Sequence, residues 1–351
     1  MILELKDICA SYPDGFQALE NVNATIESKS FVVILGESGS GKTSLLKVIA
    51  GLLDPSTGSV SINDKDVTNL LTESRDLSMI FQNYVLYPHM TIYGNVMMGL
   101  NGFAISDDEK DKLAKQILTE FGLANYLNFK PRHISDGQKQ RVAMCKALVR
   151  DPQLFLMDEP LSNLDLPQRV RIKKELKDIY ERYNTSFIYI THDLMDAEML
   201  STQVWIMDYG TVVQTGTLSE IRKNPRTLKA YQLVYGGEVN TIPAKYEDGN
   251  LAFLNHSIKF ESDKKNGEYT LACSYSDFYV CKDGQFEGKI ASVKVTPKGL
   301  ILNVEISDSV VSCYYDDSEE EINEGDVVRL QIKSNNIKLF KSSRKANEVI
   351  G

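Results

Sequence analysis

Over residues 1–35 apolar and polar positions alternate, a period of two that predicts short strands broken by a turn at Pro13-Asp14-Gly15. The alternation stops at Phe31-Val32-Val33-Ile34-Leu35, an unbroken apolar run. A strand covered on both faces, as in a parallel sheet, has that texture. Helical spacing then runs from Thr43 to Leu53 and predicts a helix ending near Asp54-Pro55. Residues 84–150 keep a mostly helical texture, and two further apolar runs follow, Leu154-Phe155-Leu156-Met157 and Phe187-Ile188-Tyr189-Ile190. Buried strands alternating with helices imply an α/β fold with a parallel sheet, carrying a helical insert over about 84–150.

The pattern changes after Tyr235-Gly236-Gly237. From there on β-like runs such as 289–295 and 327–332 alternate with turn signals at Pro297-Lys298-Gly299 and Asn323-Glu324-Gly325-Asp326. Two domains are expected, 1–235 and 236–351, the second a small all-β barrel. The acidic run Asp316-Asp317-Ser318-Glu319-Glu320-Glu321 reads as a solvated loop.

The chain of 351 residues, 42% hydrophobic and 25% charged, suits a soluble protein with two cores. Its net charge of −9 is the wrong sign for a nucleic-acid binder. Cys9, Cys145, Cys273, Cys281 and Cys313 are scattered without metal spacing and are expected to be buried, reduced thiols. Glu4 and Asp7 stand where a signal peptide would need basic and then apolar residues, and no run is apolar for the length a membrane helix needs.

Two stretches carry chemistry. Gly36-Glu37-Ser38-Gly39-Ser40-Gly41-Lys42-Thr43 matches G-x-x-x-x-G-K-[ST], a phosphate-binding loop (P-loop) between a buried strand and a helix that continues through Ser44. Its glycines let backbone N–H groups turn toward phosphate oxygens, Lys42 adds a cation, and the Thr43 hydroxyl can ligate Mg²⁺. The second is the strand ending at Asp158-Glu159, which puts two carboxylates where open α/β sheets bind ligands. Asp158 is a candidate Mg²⁺ ligand and Glu159 a candidate general base.

With these residues in place the chain resembles the ATP-binding subunits of ABC transporters over roughly residues 1–235. The resemblance implies ATP and Mg²⁺ as cofactors and hydrolysis of ATP as the activity. It implies that Tyr12 stacks on adenine and that Gln82, in Met79-Ile80-Phe81-Gln82-Asn83-Tyr84, reaches the metal and the attacking water and senses a membrane partner. Ile134-Ser135-Asp136-Gly137-Gln138 resembles the family signature, so Ser135, Gly137 and Gln138 would close over the γ-phosphate of an opposite subunit. Asp165, in Ser162-Asn163-Leu164-Asp165, falls in the loop that crosses between subunits, and His192, in Thr191-His192-Asp193, matches the switch histidine at the γ-phosphate. Taken singly, Tyr12 reads as a half-buried aromatic and His192 as a core histidine; the order and spacing of the set make it specific.

Asp136 departs from the family signature, which has glycine there. Either its side chain points away and caps the following helix, or a carboxylate near the phosphate slows turnover. Residues 82–91 resemble importer subunits for sugars, polyamines and ferric iron. The tail resembles their TOBE-type barrel, an OB-like regulatory module, with closing strands at 325–333 and 337–340. The implied partners are a second ATPase subunit, taken as identical, integral-membrane permease subunits and, indirectly, a solute-binding protein. The implied location is peripheral, on the cytoplasmic face of the membrane. A soluble ATPase with a nucleic-acid-binding OB-like tail is the alternative, as is an exporter subunit. From Glu238 onward 14 Lys and Arg face 19 Asp and Glu, which disfavours the nucleic-acid reading.

Overall fold

The computed structural model describes residues 1–80, 85–161, 165–183, 185–316 and 322–341, with the side chain of Leu166 left out. Gln82, Ser162 to Leu164 and the acidic residues 317–321 therefore lie outside the described residues. The chain forms two compact units, Met1–Arg226 and Thr227 onward.

In the first unit β1 (Leu3–Ser11) and β2 (Gln17–Ile26) form the expected hairpin, turned at Gly15 through Gly15 N–H to the Tyr12 carbonyl. β3 (Phe31–Leu35) is buried throughout and leads into α1 (Lys42–Ala50). The helix stops short of Leu53 because Gly51 takes φ 74°, a left-handed conformation that suits glycine. β4 (Thr57–Ile62) and β5 (Lys65–Asp66) complete a four-stranded antiparallel sheet, and β6 (Leu77–Ile80) starts a parallel ladder.

Next come α2 (Ile92–Met97), α3 (Asp107–Glu120) and α4 (Asp136–Leu148), then β7 (Leu154–Asp158), α5 (Leu166–Arg182), β8 (Ser186–Thr191) and α6 (Leu194–Leu200). β9 (Gln203–Asp208) and β10 (Thr211–Gly216) finish the main sheet, in the order β10-β9-β3-β8-β7-β6. β3, β6, β7, β8 and β9 are parallel and β10 is an antiparallel edge. The sequence reading places neither β6, a short run interrupted by Ser78, nor β9, whose Val204-Trp205-Ile206-Met207 is continuous, apolar and buried. The parallel register, with Leu35 beside Thr191 and Asp158 beside Ile190, brings the carboxyl ends of β3, β7 and β8 to one edge. That edge is where open α/β sheets take ligands.

Arg75, buried between α1 and β6, donates to the carbonyls of Val48 and Ile49 at 2.8 and 2.7 Å and to those of Leu70 and Thr68. It thereby satisfies the Ile49 carbonyl at the end of α1 and adds a second donor to that of Val48, which already accepts from Gly51 N–H.

A short α7 (Leu218–Lys223) ends the first unit, and the second opens with α8 (Leu228–Val234), whose Tyr231 lies 6.0 Å from Phe340. The rest is β, as expected. One five-stranded antiparallel sheet takes β11 (Val239–Glu247), β12 (Asn250–Phe253), β13 (His256–Lys259) and β14 (Gly267–Ser274). The other takes β15 (Phe278–Val280), β16 (Phe286–Thr296), β17 (Gly299–Ile306), β18 (Ser309–Tyr315) and β19 (Val327–Ile332). β20 (Lys338–Lys341) returns to pair with β14 in the first. One core, including Ile242, Leu271, Leu302, Val304 and Leu330, lies between them. The Asn240 amide ties the sheets by bonding the Ser312 backbone in both directions, at 2.7 and 2.8 Å.

Candidate functional site

The turn from β3 into α1 requires Gly41, at φ 99°, where a Cβ would sit 2.8 Å from the Ala18 carbonyl oxygen. The Lys42 ammonium folds back into the loop and donates to the carbonyls of Gly36 and Glu37 at 2.9 and 2.8 Å. Burial lowers its pKa from the ordinary value, against the opposing carboxylates of Glu159, Asp158 and Glu37. The Ser40 hydroxyl is buried and finds no hydrogen-bond partner among the described residues. A buried donor left so is satisfied by a phosphate oxygen at no desolvation cost of its own.

β7 delivers Asp158 to the same place, 115 residues along the chain, where Thr43 Oγ1 donates to its Oδ1 at 3.1 Å. Burial raises the Asp158 pKa and the neighbouring Glu159 charge adds to it, while the Thr43 bond works the other way. A bound cation would reverse that balance. A hydroxyl and a carboxylate oxygen facing each other are hard oxygen donors of the kind Mg²⁺ prefers. Glu159 follows in the left-handed region, at φ 44°, a costly conformation for a residue with a side chain and one that clusters at working sites. Its N–H is held by the Ile190 carbonyl at 3.1 Å, and its Oε2 lies 3.6 Å from Nδ1 of His192. His192, at the end of β8, is exposed rather than a core histidine, with 62% of its side chain accessible. Tyr12 is half-buried; its hydroxyl lies 3.0 Å from Ser44 Oγ and the Lys47 ammonium 5.6 Å from its ring centre.

Ser135, Gly137, Gln138 and Asp165 gather elsewhere. With Asp136, Arg141, Gln168, Arg171 and Ile172 they line an open cleft of about 930 Å³ that no P-loop residue lines. The expectation that Asp136 caps α4 is corrected here. Ser135 is the cap: its extended backbone lets its hydroxyl accept from Gln138 N–H while Gln138 Oε1 accepts from Ser135 N–H. Asp136 is already helical, and its exposed carboxylate pairs with Lys139 at 2.8 Å. Capping uses a lone pair of the Ser135 hydroxyl, so its proton stays available to an anion. Asp165 caps α5 in the same way, both carboxylate oxygens accepting from Gln168 at 2.9 Å. Arg141 of α4 clamps Glu175 of α5, which also accepts from Arg171 at 3.1 Å.

Sequence reading missed one cluster. Lys173 on α5 and Asp196 on α6, both buried, form an ion pair that reaches the two residues flanking His192, Asp193 and Thr191. Lys173 sits in a run of charged residues that reads as a solvated helix face, so the sequence holds no signal for it.

Residues 19–162 match the family model described as ABC transporter. The sn-glycerol-3-phosphate import ATP-binding protein UgpC of Roseobacter denitrificans is 37% identical over 257 residues, 73% of this chain and 71% of the relative. The protein of that name in Psychromonas ingrahamii is 39% identical over 249 residues, covering 71% and 67%. A dimeric post-hydrolysis state of the ATP-binding cassette MJ0796, bound to ADP and Pi, superposes with a TM-score of 0.55 at 30% identity, over 62% of this chain and 98% of that one. The cbiO1 component of a Clostridium perfringens ABC transporter gives 0.57 at 25% identity, over 64% and 95%.

Proposed function

The chain belongs to the ABC transporter family and is an ATPase of it, and from that premise we propose that it powers import of a solute through membrane permease subunits. The importers among its relatives support the direction of transport, and the solute itself is selected by other subunits. The observation that carries the catalytic part is the convergence of β3, β7 and β8: Lys42, Thr43, Asp158, Glu159 and His192 meet at one sheet edge. Thr43 and Asp158 would hold Mg²⁺, with Gln82, which lies outside the described residues, as a third candidate. The metal would neutralise charge on the β- and γ-phosphates.

The roles of the chain's own residues follow. The backbone N–H groups from Gly36 to Thr43, the Ser40 and Ser44 hydroxyls and Lys42 bind the phosphates, and Tyr12 presents its ring to adenine. Glu159 takes the proton of the attacking water, from a backbone held in the left-handed region just past the end of β7. His192, 3.6 Å away, orients that carboxylate and meets the γ-phosphate. The signature residues line a cleft apart from the P-loop, which favours a composite site in which a second copy supplies Ser135, Gly137 and Gln138. Nucleotide then bridges two copies, and hydrolysis releases them.

A groove of about 480 Å³ is lined by Leu52, Leu77, Met79, Val85 and Ala147, together with the charged Glu73, Lys146 and Arg150. Leu52 and Val85 are exposed there, at 50% and 56%, and we assign the groove to the permease. The β unit is a TOBE-type regulatory domain in this reading.

The deciding experiment is Glu159→Gln. Hydrolysis should fall by about 10²–10⁴-fold, the usual worth of a positioned base, while ATP binding persists and an ATP-bound dimer accumulates on size exclusion. Wild-type turnover in that variant would refute the role of Glu159.

A further inference from the structure

His192 has a second, buried support that its partnership with Glu159 does not require. Lys173 of α5 faces Asp196 of α6, and the two side chains are 3% and 4% exposed. The Lys173 ammonium also reaches Asp193 Oδ2 at 3.3 Å. The other oxygen of Asp196 accepts from Thr191 Oγ1 at 2.6 Å and from Tyr189 OH at 3.1 Å. Thr191 Oγ1 in turn accepts from Asp193 N–H at 3.0 Å. Both chain neighbours of His192 are thereby tied to one lysine, while the histidine ring itself stays in the open.

Burying two charges is expensive, and an apolar pair of similar volume would commonly stabilise the fold as well or better. A buried ion pair is thus weak evidence for a stability role. What it does here is fix geometry: Thr191 and Asp193 are pinned by bonds with directional demands, which leaves the His192 backbone no freedom to swing. α5 is capped by Asp165 and reaches Lys173 about two turns later, so one helix links that cap to the residues that flank the histidine.

We propose that Lys173 and Asp196 are positioning residues for His192, holding its backbone so that the imidazole stays on Glu159 and the γ-phosphate. The proposal rests on the catalytic reading of His192. A misplacement of about 1 Å at such a site can cost up to about a hundredfold in rate.

The test is a steady-state ATPase cycle with the full chain at saturating ATP and Mg²⁺. The neutral pair Lys173→Met with Asp196→Leu removes the tether without leaving a buried charge; because the Thr191 hydroxyl loses its acceptor, the thermal unfolding temperature should fall modestly, and turnover is measured well below the new midpoint. Its kcat should nevertheless fall about tenfold or more with KM for ATP nearly unchanged, whereas Lys173→Arg alone, which keeps a cation opposite Asp196, should retain most of it. In a His192→Ala background the neutral pair should cost nothing further. If His192→Ala alone turns over at the wild-type rate, the catalytic reading of the histidine fails. If His192→Ala is slow and the neutral pair slows both backgrounds by the same factor, that reading survives and the positioning role is refuted. Full turnover in the neutral pair would also refute it.

Discussion

The residue with the most to lose in this site is Asp136, because a carboxylate stands where the family signature carries a glycine. Its side chain is 72% exposed and is paired within its own turn to Lys139. An exposed charge this close to a cation is largely neutralised, so its repulsion of a phosphate is screened. Removing the carboxylate also removes a favourable charge from the first turn of α4, worth about 0.3–1 kcal/mol. Asp136→Gly should therefore leave steady-state ATP turnover within about twofold while lowering thermal stability slightly. A large rate increase would mean that the carboxylate obstructs the phosphate after all. At this scale legibility was uneven. The P-loop and Asp158-Glu159 are legible because backbone chemistry demands glycine and carboxylate at fixed spacing. The Ser135 cap is legible in the sequence, as Ser-x-x-Gln is a capping box, although Asp136 is itself a good capping residue and competes for the assignment.

Among the elements, α1 has the most depending on it, since its first turn carries Lys42 and Thr43. The helix is short, and its last carbonyls are held by the Arg75 guanidinium rather than by solvent. Truncating Arg75 to Met would orphan the Ile49 carbonyl, take one of two donors from that of Val48 and destabilise the first unit by about 2–4 kcal/mol, since several charge-assisted bonds go at once. Urea denaturation should show the loss, and Arg75→Lys should recover only part of it because one ammonium cannot span the same carbonyls. β3, β7 and β8 are readable from sequence because each is a continuous apolar run. β6 is not, since Ser78 interrupts it and the sheet alone supplies its reason to be extended, whereas β9 holds the equally continuous run Val204-Trp205-Ile206-Met207 and its signal is there to be read. The end of α1 was overshot for a related cause: Leu52 and Leu53 continue the apolar spacing, but the left-handed Gly51 turns the chain before them.

For the whole molecule the thiols give a readout that spans both units. The expectation of five buried thiols holds for Cys145, Cys273 and Cys313, while Cys9 and Cys281 are half-exposed. Burial raises the pKa of each of the three, Cys313 to about 12. A thiol reagent at neutral pH should therefore label Cys9 and Cys281 first and the others only after denaturation. These pKa values lie above the ordinary thiol value of 9.0, so above about pH 9 the unfolded chain sheds protons that the folded chain keeps. Burial also raises Tyr183 and Tyr231, in the same direction. Stability should accordingly be intact below pH 9 and decline as the pH climbs past it, which urea midpoints between pH 8 and 10.5 would register. The division into an α/β part and a β part was legible from the change in periodicity; the pairing of strands inside the β part was not, since antiparallel strands of similar texture leave many registers open. One such pairing sets a timetable for synthesis. The main sheet of the first unit is complete once residue 216 has emerged, but the sheet around β14 waits for β20 at residues 338–341. At about 5–20 residues per second that delay is on the order of ten seconds. For that interval a newborn chain carries a nucleotide-binding part ready to fold ahead of a β part still missing an edge, and the exposed flank of β14 is where a nascent-chain chaperone would have most to do.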